Sequence, residues 1–223
     1  GQVQDLAAGT GCTVILCPDG AVTGVDVRGG SPGTRDTDAL NPVCNREVVH
    51  AVVLTGGSAF GLDAAGGVMA RLEEESIGRD VMVTVVPNVC AAVLFDLKCG
   101  SMEVRPDAAM GRAACQAALK GGPFREGNFG AGTGCTIGKI RGPQFAMKGG
   151  IGACAFRQGE LMVGAETSWR TAGSSPAPGP TTALALPERR TGSSPMGNTS
   201  GISSAENWWG RTPSSAVWSP TLL

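Results

Sequence analysis

No tyrosine occurs in these 223 residues, histidine occurs once, and aromatic residues make up only 4% of the chain. With so few rings, the core must be built from Val, Ala, Leu and Ile. With His50 alone, no Ser-His-Asp set is available. No C-x-x-C pair is present, and zinc needs clustered Cys and His ligands, so the sequence offers no metal site. No run of 18 apolar residues occurs, which argues against a membrane-spanning helix. Net charge is −1 and the pI is about 5.9, so the chain lacks the basic field that holds nucleic acid or an anionic membrane. The N-terminus shows neither a charged nor an apolar leader segment. The eight cysteines then read as reduced, mostly buried thiols in a cytoplasmic protein.

Glycine, by contrast, is abundant at 35 residues, without the Gly-X-Y period of collagen. Tight turns and close backbone contacts therefore take the place of bulky side chains. The vocabulary changes near residue 165. Residues 1–165 hold all eight Cys, nineteen of the twenty Val and no Trp. Residues 166–223 hold all four Trp and eleven Ser, with no Lys, Asp or Phe. The first segment reads as a globular domain and the second as a low-complexity, disordered tail.

Within residues 1–165, strand and helix signals alternate, which defines an α/β protein. Residues 12–17 and 21–27 are β-branched runs around Pro18-Asp19-Gly20 and read as a hairpin. Residues 50–55 read as a buried strand running into Gly56-Gly57-Ser58. From Ala59 to Glu75, Phe60, Leu62, Ala64, Ala65, Val68, Met69 and Leu72 fall at helical spacing, and Glu73-Glu74-Glu75 forms a solvated helix end. Residues 81–86 and 89–97 read as strands broken at Pro87-Asn88. Residues 107–120 read as an Ala-rich helix with Pro106 and Asp107 at its start. Residues 130–140, 150–156 and 160–165 return to β character.

Three glycine-rich segments invite a chemical reading. Residues 55–61 join a strand to a helix, where free backbone N–H groups bind an anion or an oxyanion; a tight turn with close packing is the plainer alternative. Residues 130–139 resemble a phosphate loop but fail it. Ile140 stands where a magnesium-binding Ser or Thr belongs, and Cys135 stands where a dinucleotide loop needs its third Gly. Lys148-Gly149-Gly150-Ile151-Gly152 reads as a bulged strand start.

Together these segments resemble the P1 peptidase family, the DmpA-like L-aminopeptidase/D-amidase/esterases. The resemblance runs through residues 8–14, 24–34, 50–65, 93–97, 105–107, 127–139 and 147–150, in family order across residues 4–165. It implies a four-layer αββα sandwich and a precursor that cleaves itself into two chains. The new N-terminal Ser or Thr is then the nucleophile, with its own α-amine as base. That scheme needs no histidine. The resemblance implies short peptides, amides or esters with a free N-terminus as substrates, and no metal or organic cofactor. The chain's own C-terminal part after processing and further copies of the protein are the implied partners.

Position by position, Lys139 matches a lysine near the catalytic centre, with a structural ion pair to Asp96 as the alternative. Phe95 falls where relatives place a Tyr or Trp beside the substrate, and Gly56, Gly57 and Ser58 fall on the pocket floor. Gly197-Asn198-Thr199-Ser200 resembles the self-cleavage site and makes Thr199 the candidate nucleophile, although no β-branched strand follows it. The Asn-bearing strand expected after Ala165, which supplies an oxyanion donor in relatives, is replaced by Glu166-Thr167-Ser168-Trp169-Arg170.

A shifted reading frame accounts for both departures. Residues 209–223, read one base early, permit Gly-Lys-Asn-Thr-Val-Leu-Gly-Cys-Val-Val-Thr-Asn-Ala, which resembles the family's nucleophile strand. The same offset over residues 166–170 permits Gly-Asp-Ile-Val-Ala. On this reading the core ends at Ala165, residues 166–223 are out of frame, and the chain is inactive as written. An inactive α/β protein that keeps its pocket as a small-ligand site is the alternative, with an ornithine acetyltransferase-like acyltransferase behind it.

Overall fold

The structure is a computed structural model and describes residues 1–27, 30–158 and 161–168. Thr199, Trp208, Trp209 and the rest of the tail lie outside the described residues. In chain order the strands are β1 (Gln2–Asp5), β2 (Thr10–Ala21), β3 (Thr34–Arg35), β4 (Val49–Thr55), β5 (Arg79–Asp80), β6 (Val85–Val86), β7 (Val89–Val93), β8 (Thr136–Ile137), β9 (Met147–Lys148), β10 (Ile151–Gln158) and β11 (Leu161–Ser168). The helices are α1 (Ala64–Glu74) and α2 (Ala108–Leu119), with 3₁₀ turns between them and the strands.

A five-stranded sheet in the order β1-β2-β4-β7-β3 organises the chain. β4 and β7 are parallel, with α1 as their crossover, and every other neighbour in this sheet is antiparallel. All seven residues of β4 and all five of β7 are buried, as expected of strands covered on both faces. One face carries Cys12, Val14, Ala51, Val53, Val89 and Ala91 against Ala64, Ala65, Val68, Leu72, Ala114 and Cys115 of the two helices. The other face carries Leu54 and Ala92, which pack with Leu94, Ala131, Cys135 and Ile151. The α/β class expected from the sequence is the one observed. Of the expected four-layer sandwich, the described residues supply one helix layer and the sheet beneath it.

The helix layer is thin because its contacts are made by small residues. A Cβ on Gly67 would run into the carbonyl oxygen of Ala108, and one on Gly111 into that of Ala64. The first turns of α1 and α2 therefore meet backbone to backbone. Asp107 starts α2 by accepting the Met110 N–H at 2.9 Å. Arg112 grips Glu74 with both terminal nitrogens, at 2.8 and 2.6 Å, and ties α2 to the end of α1. The acidic run is thus a solvated helix end held by Arg71 and Arg112.

Four local readings of the sequence are corrected. Pro18-Asp19-Gly20 does not turn a hairpin. It lies within β2, where pairing with β4 jumps from Leu16↔Ala51 to Ala21↔Val49 and the surplus residues bulge outward. β2 is already flanked by β1 and β4, so no edge is left for residues 22–27 to pair with. The segment after Ser58 is a 3₁₀ turn through Asp63 before α1 begins, which leaves Phe60 59% exposed and outside the core. Residues 79–86 form a small β5–β6 hairpin, and β7 stops at Val93. Residues 130–140 are mostly 3₁₀ turns around the short strand β8, because Gly130 and Gly138 adopt φ of +51° and +80°. The β character expected of residues 150–156 and 160–165 is observed; the two segments pair as a hairpin that runs on through Ser168, past Ala165 where the core was expected to end.

All eight cysteines are free thiols, with Cys12, Cys90, Cys115 and Cys135 buried, Cys17 half-buried and Cys44, Cys99 and Cys154 exposed. Burial pushes Cys17 and Cys115 up to about 11 and, with help from Asp36, Cys90 up to about 12. Those three thiols stay protonated at neutral pH and act as small apolar groups. Among the described residues no helix is long and apolar enough to cross a membrane.

Candidate active site

The turn after β4 is built by backbone conformation. Gly57 (φ +78°) and Ser58 (φ +56°) are consecutive left-handed residues, the second without the freedom of glycine. Three main-chain hydrogen bonds hold them. Gly56 N–H donates to the Gly11 carbonyl at 2.9 Å, Ser58 N–H to the Leu94 carbonyl at 2.9 Å, and Gly57 N–H to Asp96 Oδ1 at 2.6 Å. The N–H groups of Gly56, Gly57 and Ser58 are thus committed within the protein, that of Gly57 to the protein's own carboxyl group, and residues 55–58 form a tight turn.

Asp96 is 3% exposed. Its second oxygen accepts the Thr10 hydroxyl at 2.6 Å. Burial pushes its carboxyl above the usual range, while the Thr10 and Gly57 hydrogen bonds oppose the rise. A Cβ on Gly56 would collide with the Asp96 carboxylate and the Thr10 hydroxyl, and one on Gly134 would press on Asp96 Cβ. Three separate stretches of chain therefore close around one acidic side chain.

Lys139 follows Gly138 at the start of a 3₁₀ turn and donates to Thr136 Oγ1 at 2.7 Å. The Asp96 oxygens are engaged by the Thr10 hydroxyl and the Gly57 N–H. The two charges nevertheless share a neighbour. Burial pushes the Cys135 thiol up, the Gly150 main chain and Lys139 pull it down, and Cys99 and Asp96 raise it further. The Cys99 thiol itself donates to the Gly134 carbonyl at 2.9 Å.

The structure thus bonds Gly57 to Asp96, packs Gly56 against the same carboxyl, ties Ser58 to the Leu94 carbonyl, sets half-buried Phe95 next to Asp96 in the chain, and brings Lys139 and Asp96 within electrostatic reach of Cys135. Asp96 as the organising group, with Thr10, was missed from sequence. Both lie in stretches that carry the family resemblance, and that was their only signal. His50 is remote from this chemistry. It is 5% exposed, its Nδ1 accepts the Asn88 N–H at 3.0 Å, and burial lowers its pKa, which keeps the ring neutral.

The glycine cradle, the buried acid and the lysine all fall within residues 2–167, which match Peptidase family S58. The chain belongs to that family. It is 46% identical over 159 residues to an "uncharacterized aminopeptidase" of Mycobacterium leprae, covering 68% of this chain and 42% of that protein. It is 36% identical over 154 residues to a "6-aminohexanoate-oligomer endohydrolase" of Kocuria sp., covering 69% of this chain and 40% of that protein. The chain therefore spans less than half the length of these curated relatives. Among solved structures, an L-aminopeptidase D-Ala-esterase/amidase of Ochrobactrum anthropi aligns with a TM-score of 0.47 at 17% identity, covering 75% of this chain and 54% of that one.

Proposed function

We propose that this chain carries the pocket half of an N-terminal-nucleophile aminopeptidase or amidase that acts on short peptides, amides or esters with a free N-terminus. The observation that carries the reading is the family match over residues 2–167, which spans every candidate position from Gly56 to Lys139. The names of the 46% and 36% identical relatives support hydrolysis of an amide bond. In the proposed reaction the hydroxyl of a chain-terminal Ser or Thr attacks the substrate carbonyl carbon, and its proton passes to the residue's own α-amine. The tetrahedral intermediate expels the protonated leaving amine, and water then hydrolyses the acyl-enzyme ester. Lys139 supplies positive charge near the developing oxyanion, Phe95 packs on the substrate, and Gly56, Gly57 and Ser58 form the pocket floor. Thr199 is the one candidate nucleophile that the chain as written offers, and the frame shift proposed over residues 209–223 would move the acting Thr there. The C-terminal chain released by processing and further copies of the protein are the proposed partners. Eight free thiols support a cytoplasmic setting.

A second reading, that this chain keeps the pocket and has lost the nucleophile, is favoured by Gly201-Ile202-Ser203-Ser204 after Thr199, where a strand sequence belongs. One experiment addresses both. The gene is sequenced across codons 155–223, and the chain is expressed as written and with the frame restored. We expect the written chain to keep a single mass and release no p-nitroaniline from D-alanine p-nitroanilide. We expect the restored chain to split in two and turn the substrate over. A restored chain that neither splits nor hydrolyses overturns the enzymatic reading. Splitting of the written chain before Thr199 overturns the second.

A further inference from the structure

A groove of about 660 Å³ opens where the 3₁₀ turn after Gly57 meets the starts of α1 and α2, lined by Thr34, Arg35, Phe60, Leu62, Asp63, Arg105, Pro106 and their neighbours. Its volume suits a ligand of one or two amino-acid residues. Two guanidinium groups face it with donors to spare. Arg35 spends one terminal nitrogen on the sulfur of Met69, at 3.2 Å. Arg105 spends Nε on the Met102 carbonyl, at 2.8 Å, and lies over the Phe60 ring at 3.8 Å. Neither has a carboxylate partner among the described residues. An arginine carries five N–H donors in a planar fork, so several remain on each.

The lining also holds two carboxylates, Asp63 and Asp107, which match the two guanidinium groups in formal charge. Asp107 spends Oδ1 on the Met110 N–H at the start of α2, so the spare donors of the two arginine forks, not a net positive charge, are what the groove offers an anion. Ala59 and half-buried Leu62 supply apolar wall beside the cations. Stacking on Phe60 fixes the plane of the Arg105 fork, which favours a planar, bidentate acceptor.

We propose that this groove binds the carboxylate of a small organic acid with an apolar body, held by Arg35 and Arg105 and packed against Ala59 and Leu62. Asp63 and Asp107 set the charge preference. They tolerate a monoanion that takes the spare arginine donors and penalise the second charge of a phosphate. A free amino-acid derivative and the C-terminus of a short peptide present the same carboxylate, and they differ in how much of the groove they fill.

The test is a binding titration of the full chain by calorimetry, with amide chemical-shift mapping, and it needs no turnover. It therefore stands or falls apart from the catalytic reading. The probes are N-acetyl-L-phenylalanine, its uncharged amide, N-acetyl-L-alanyl-L-phenylalanine and inorganic phosphate. We expect saturable binding of both acids, with shifts centred on residues 59–63 and 105–107. The amide should bind about tenfold more weakly or worse, because a charge-assisted pair is lost. Phosphate should likewise be weaker than either acid. Arg105→Gln and Arg35→Gln should each weaken the acids about tenfold while leaving the circular dichroism unchanged. Tighter binding of the dipeptide acid identifies a peptide C-terminus as the source, and equal binding identifies the free acid. Equal affinity for acid and amide, phosphate as tight as the acids, shifts elsewhere on the chain, or no saturable binding of the acids each overturns the proposal. The wild-type comparison of acid with amide decides the matter even if a variant fails to fold.

Discussion

The two faces of the five-stranded sheet are closed by different means. On one, α1 and α2 lie directly on Val14, Val53 and Val89, and the contact is wholly apolar. On the other, glycine-rich loops cover Leu54 and Ala92, and polar groups stitch them down. There Thr13 Oγ1 accepts the Ala131 N–H at 3.0 Å, and the Gly130 N–H reaches Gln4 at 2.9 Å. Farther out, the β10–β11 hairpin leaves Phe156 62% exposed. The helix face is a closed core whose tolerance is set by volume. The loop face is set by whether each buried donor keeps its acceptor, and it holds the candidate site.

Substitutions should separate the two faces. The largest effect is expected at the helix crossing. Gly67→Leu drives a side chain into the Ala108 backbone and should cost about 3 kcal/mol or more, read as a fall in the urea midpoint. Leu72→Ala empties a fully buried site on the same face and should cost about 2–5 kcal/mol with an unchanged denaturant slope. On the loop face, Asp96→Ala strands the buried Gly57 N–H and should cost about 1–3 kcal/mol. Asp96→Asn keeps an acceptor for Gly57 and a partner for Thr10, and should recover most of that loss. If Asp96→Ala proves harmless, the loop face is no hydrogen-bonded assembly and the contrast fails. The sheet margin at His50 adds a pH signature. Its folded pKa lies below the ordinary 6.5, so the unfolded chain binds more protons in that window. Stability should therefore decline as pH falls below about 6.5, and His50→Asn should flatten that part of the melting-temperature profile. The smallest effect is expected beyond the loop face. Phe156→Ser should shift stability by no more than about 0.5 kcal/mol, because the ring is largely in solvent.

Legibility in the sequence follows the same divide. β4, α2 and the β character of β10 and β11 were readable because their apolar residues recur at strand or helix spacing, with Asp107 marking where α2 begins; the pairing of β10 with β11 was not. Residues 130–140 misled because glycine carries no side chain to show a period, and the turn there depends on positive φ at Gly130 and Gly138. Pro18-Asp19-Gly20 misled because its local preference for a turn was overruled by β1 and β4 claiming both edges of β2. Phe60 followed a helical spacing that the left-handed Gly57 and Ser58 interrupt. Asp96 was opaque as an organiser because its partners lie 86 and 39 residues away, at Thr10 and Gly57.

The adjacency of Phe95 and Asp96 carries a consequence for anyone testing the role proposed for Phe95. A backbone shift that admits a larger or smaller ring there also drags the neighbouring carboxyl against the Gly56 and Gly134 main chains. Libraries randomised at residue 95 should accordingly lose heat tolerance as ring size departs from that of Phe, and relief should come from second-site changes around Thr10 rather than from the helices.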